Sequence, residues 1–142
     1  MSSLVKSAMV LVLAASSAAA ADSLVAGTWR GKFNDLPAIV LTVNDDAGKL
    51  SGTIVFYFQH RNTERDPWQV DTAHSQPLPL IDPKFDGKTL AFKVSHKEAH
   101  PPRTLNDPPS SFEMRLTGKG EAEFRNLTER QSPPVKMLRD AK

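Results

Sequence analysis

Two histidines with a glutamate between them, His96, Glu98 and His100, are the residues of this chain best typed for metal chemistry. On an extended strand all three share one face, so two imidazoles and a carboxylate could converge on zinc or another divalent ion. The spacing is not that of the helical zinc-protease motif, because the glutamate stands elsewhere and Pro101 follows at once. The competing reading is an ordinary solvated loop end. Among possible nucleophiles, Ser110, Ser111 and Ser132 lie outside any Gly-x-Ser-x-Gly turn. There is no cysteine, which excludes disulfides, thiolate metal sites, a cysteine nucleophile and a lipid-modified N-terminal cysteine. Asn126-Leu127-Thr128 fits a glycosylation sequon, meaningful only in a host with that machinery. No stretch forms a catalytic motif and no cofactor is implied. An enzyme seated on His96 and His100 therefore stands third, behind two binding readings.

The residues that could bind are apolar. Ile54, Phe56, Phe92, Phe112 and Met114 alternate with polar neighbours on their segments and share a predicted inward face with Ile39, Leu41, Phe58, Leu90, Val94, Leu116 and Phe124. Such a face either lines a cavity for a small apolar molecule or fills itself as a solid core, and the bulky aromatics lean towards filling. Trp68 sits in a polar stretch beside Asp66 and Pro67, where it could anchor a lid or a partner or pack as a satellite contact under a loop. Trp29, on the first periodic segment, suits a buried plug better than a ligand contact.

The elements that must position these residues are short strands. Ala26 to Phe33, Ala38 to Val43 and Leu50 to Phe58 read as three consecutive antiparallel strands, and one more is expected between Trp68 and Ile81, where Pro79 would have to sit at an edge or bulge. Thr89 to Lys97, Phe112 to Thr117, Glu121 to Leu127 and Val135 to Leu138 complete about eight, with almost no helical periodicity and no internal repeat. The fold class is all-β. An up-and-down antiparallel barrel is preferred over a sandwich, because closure removes exposed strand edges.

Strand parity then sorts the connectors. Asp45 to Lys49, Asp86 to Lys88 and Gly118 to Gly120 are tight turns and belong to one end of the barrel. Asn34 to Leu36 and the loose, proline-bearing stretches Gln59 to Gln76, His96 to Ser110 and Thr128 to Pro134 belong to the other. His60 and His74 are expected at that same loop end, where barrels bind ligands at their mouths.

Residues 1–21 read as a signal peptide, with Lys6, the apolar run Ala8 to Ala15 and the small-residue cleavage site Ala19-Ala20-Ala21. The mature domain then spans 22–142 and is exported, periplasmic or secreted. The apolar run falls short of the roughly twenty residues a bilayer span needs, so no membrane span is expected. Loss of the leader takes away one lysine and no acid, and the formal charge falls from +2 to about +1. A balance so near neutral argues against a nucleic-acid partner, whose phosphates demand clustered cations.

Gly27-Thr28-Trp29 on the first strand, followed by a meander behind a leader, resembles the calycin superfamily of lipocalins and avidins. The lipocalin likeness implies that Gly27 and Trp29 plug the closed end and that Arg139, by its position, packs across the indole. The second lipocalin motif has no counterpart around Gly118. The avidin likeness covers Ala26 to Phe58, including Leu50-Ser51-Gly52-Thr53. Ile54 and Phe56 stand where avidins place biotin-bonding hydroxyls, which argues against biotin. The chain also has a general likeness to small exported bacterial proteins of unknown function. Together these imply a barrel whose partner is a small apolar molecule or, if the interior is full, another exported protein.

Overall fold

Alternation is what builds this molecule: residues of one parity along each strand are buried and those of the other face water. The computed structural model describes residues 24–73, 75–95 and 108–141. The strands are β1 (Gly27–Phe33), β2 (Leu36–Asp46), β3 (Lys49–Phe56), β4 (Phe58–His60), β5 (Gln69–Asp71), β6 (Leu78–Pro79), β7 (Ile81–Phe85), β8 (Thr89–Val94), β9 (Ser110–Gly118), β10 (Glu121–Asn126) and β11 (Val135–Arg139). Nine of them form one antiparallel sheet in the order β6-β3-β2-β1-β11-β10-β9-β8-β7, while β4 and β5 pair apart. The first strand pairs with the last, Trp29 opposite Arg139 and Gly31 opposite Met137.

The sheet's two outer strands, β6 and β7, are separated in the chain by Leu80 alone, and the sheet is nearly closed into a barrel. Leu80 N–H donates to the Gly52 carbonyl at 3.0 Å, so one bent run from Leu78 to Phe85 spans the seam between β3 and β8. The single strand expected between Trp68 and Ile81 is instead two short ones, β5 and β6, and β7 is a further strand that the sequence reading did not include. Within β7 the backbone bends for a local reason. Asp82 takes a left-handed φ of 54° and the register shifts between Ile81 and Lys84, a bulge that also accommodates Pro83, which has no N–H to give. Pro79 likewise lies on an outermost strand.

The core is the inward face: Trp29, Leu41, Ile54, Leu90, Val94, Met114 and Met137 are wholly buried, with Phe92, Phe112 and Phe124 nearly so. Phe58 departs from the expected inward face, being 53 % exposed. Tyr57 N–H still donates to the Ala38 carbonyl, but beyond it the chain leaves the barrel for the separate β4–β5 hairpin, so alternation counted from Phe56 no longer applies.

Connector parity holds throughout the described residues. The turns after β2, β7 and β9 gather at one end, and the β1–β2 turn, residues 57–73 and 75–77, and residues 127–134 at the other. No helix is long and apolar enough to cross a membrane among the described residues.

Candidate functional site

The turn end is shut by side chains from three segments. Trp29 donates its indole N–H to the Val25 carbonyl at 2.9 Å, folding residues 24–26 beneath the barrel. Arg139 reaches across from β11, its guanidinium 5.9 Å from the Trp29 ring centroid and Nη1 donating to the Leu24 carbonyl at 3.1 Å. Gly27 makes the crossing possible: it sits at φ 127°, and a Cβ there would stand 3.4 Å from Arg139 Cδ. The Trp29 nitrogen therefore has a partner, and the buried indole costs no unsatisfied donor.

The loop end is built differently. Phe56, Phe92, Phe112 and Phe124 meet inside the barrel near this end, with ring centroids 5.4 Å apart for Phe56–Phe112 and Phe112–Phe124 and 5.9 Å for Phe92–Phe112. β3, β8, β9 and β10 each contribute one ring. Ile54 and Met114 lie under them with no exposed surface. Phe56 is half-buried, and Phe33 and Phe58 on this rim are exposed by 49 % and 53 %. Thus the sequence-predicted set Ile54, Phe56, Phe92, Phe112 and Met114 is one contiguous group, to which the structure adds Phe124 as a ring partner.

Trp68 stands apart from that group, in the connector beyond β4. Arg61 lies over its ring, 4.5 Å from the centroid, and ties back to the Glu64 carbonyl at 3.0 Å. The β4–β5 hairpin is braced on the β1–β2 turn by one residue that sequence reading passed over, Gln59. Its amide nitrogen donates to the carbonyls of Phe33, Leu36 and Pro37 at 2.8, 3.4 and 3.3 Å, and its oxygen accepts from Asn34 Nδ2 at 3.2 Å. Asn34 and Asp35 both take left-handed φ, 52° and 63°, turning those carbonyls outward for capture.

Across the mouth, Asn126 is taken up structurally. Its Oδ1 accepts from the backbone N–H of Thr128 and Glu129 at 3.0 and 2.9 Å, and Thr128 Oγ1 accepts from Ser111 N–H at 2.8 Å. A hollow of about 670 Å³ beside it is lined by residues 127–132 of this one connector and by none of the phenylalanines. His60 is exposed; His74, His96, Glu98 and His100 lie outside the described residues, so the proposed metal pair has no geometry here. Among the described residues no group of three or more His, Asp or Glu is placed to hold a metal ion.

Among the described residues the barrel interior is apolar, and aromatic towards the loop end. No protein-family model matches the chain, and neither a curated protein nor a solved structure matches it.

Proposed function

We propose that the chain is an exported, calycin-like barrel that takes a mainly apolar small molecule at its loop end. The supporting observation is the four-ring cluster of Phe56, Phe92, Phe112 and Phe124 lying under the rim where the irregular connectors gather, with Phe56 only half-buried. Ile54 and Met114 form the floor of that site, and Phe56 is the ring a ligand meets first. Aromatic faces reward flat or ring-bearing ligands by offset stacking, worth about 0.5–1.5 kcal/mol per pair beyond burial.

The test is thermal melting of the purified protein against fatty acids, aromatics and retinoid-like compounds, with a hydrophobic dye as reporter. A ligand of the right class raises the melting temperature of the wild type and fails to do so for Phe56→Asp, whose charge occupies the mouth. If no compound moves the transition and the dye stays dark, the proposal fails.

A second reading, a filled barrel whose rim binds another exported protein, draws on the exposed Phe33 and Phe58 and on Trp68 under Arg61. Pull-down with Trp68→Ala and Arg65→Ala variants separates the two. Unchanged recovery of a partner excludes those residues.

A further inference from the structure

One polar side chain interrupts the apolar interior. Among the described residues Ser110 is the single buried polar or charged residue, 8 % exposed. It opens β9 with the inward parity of Phe112 and Met114, and the buried Val94 of β8 stands directly opposite. Because β9 starts at the loop end, Ser110 lies one inward step beyond Phe112 towards the mouth, next to the ring cluster rather than at the plug. The charged residues of these strands, Lys93, Glu113, Arg115, Glu123 and Arg125, all have the outward parity. The inward face here therefore offers a hydroxyl and no charge.

We infer that Ser110 sets the ligand class of the loop-end site: an uncharged amphiphile whose apolar, ring-bearing body lies on the phenylalanines and whose one hydroxyl or carbonyl bonds Ser110 Oγ. The inference rests on the loop-end site proposed above. A serine hydroxyl gives one proton and accepts at two lone pairs, so it serves an alcohol or a carbonyl equally well. A carboxylate or ammonium entering the same place would lose its water with no counter-charge among the described inward residues, a cost that a neutral group escapes. A wholly apolar molecule keeps the ring contacts but excludes water from the hydroxyl and returns no bond to it.

Fluorescence titration of the full chain with naphthalene, naphthol and naphthoate at neutral pH tests it, because the three share one ring system and differ in a single group. The wild type should bind naphthol about threefold to tenfold more tightly than naphthalene, the span of one net neutral hydrogen bond, and naphthoate most weakly. Ser110→Ala should bring naphthol down to the affinity of naphthalene and leave naphthalene unchanged. Ser110→Cys, close in shape but with a weakly bonding thiol, should act in the same direction and decides the matter if Ser110→Ala does not fold. Near-UV circular dichroism certifies the fold of each variant. A wild type that binds naphthalene and naphthol equally, or a preference that survives substitution, overturns the role of Ser110 while leaving the site in place. Binding of none of the three overturns the inference, and together with a silent melting panel it overturns the site as well.

Discussion

The two ends of the barrel solve the same problem with different chemistry. Each must stop a column of apolar side chains without leaving backbone polar groups stranded. At the turn end a tryptophan and an arginine spend their polar atoms on the carbonyls of Val25 and Leu24, just before β1, and the indole is wholly buried. At the loop end the column finishes in four phenylalanines that have no polar atom to spend, and Gln59 and Asn126 bond the backbone of residues 33–37 and 128–129 instead. One end is therefore a hydrogen-bonded plug. The other is an apolar layer with braces around it.

Trp29→Ala should expose this difference most. Removing a wholly buried indole leaves a cavity, releases the Val25 carbonyl and takes the support from under Arg139, a cost of about 3–5 kcal/mol for large-to-small core changes. Urea denaturation should show it as a lower midpoint at unchanged slope. Phe56→Ala, at the half-buried ring of the other end, should cost clearly less. Equal losses at the two sites would mean that the loop end is as tightly packed as the plug.

Gln59→Leu comes next. The variant keeps the side chain's bulk and deletes its bonds to Phe33, Leu36, Pro37 and Asn34, each worth about 0.5–1.5 kcal/mol net in general. Because β4 and β5 pair only with each other, the loss should appear as local opening rather than global unfolding. Amide exchange should accelerate at Phe58–His60 and Gln69–Asp71 while β1 and β2 keep their protection. Unaltered exchange in the hairpin would show that Gln59 is not its brace.

Much of this contrast was legible in the chain itself, because its determinants are local. Asp45 to Lys49, Asp86 to Lys88 and Gly118 to Gly120 carry the residues that tight reversals require, and strict alternation through β2, β8 and β9 marks inward faces that the structure keeps. Once those are placed, parity alone sends the loose connectors to one rim. What was not legible depends on pairings between distant residues. Gln59 reads as one more polar loop residue until carbonyls from Phe33 to Pro37 surround it. Phe58 faces water, against the parity of its segment, because alternation says nothing about where a strand departs from its sheet. The seam at Leu80 and Asp82 is invisible for a similar reason: a two-residue pairing with Thr53 and Ile54 has no periodicity of its own. Phe124 could have joined the candidate site from its inward parity alone, but ring contact is a property of four strands together.

The smallest expected effect lies in a turn at the plugged end and comes from pH. Asp86 Oδ1 accepts from the N–H groups of Thr89 at 2.7 Å and Lys88 at 2.9 Å, and these bonds, Thr89's first, hold its carboxyl below the ordinary aspartate value. A carboxyl whose native pKa is depressed contributes stability that is fully present above its unfolded pKa and lost as pH falls through the lower native value. Asp86→Asn keeps an acceptor oxygen but cannot titrate, so it should be slightly less stable than wild type at pH 7. The gap should close as the solution is acidified from about pH 4 downward, through the window between the unfolded and native values. Parallel urea titrations of the two proteins across that range measure it. A gap that stays constant with pH would show that the Asp86 charge adds nothing beyond the acceptor geometry of the turn.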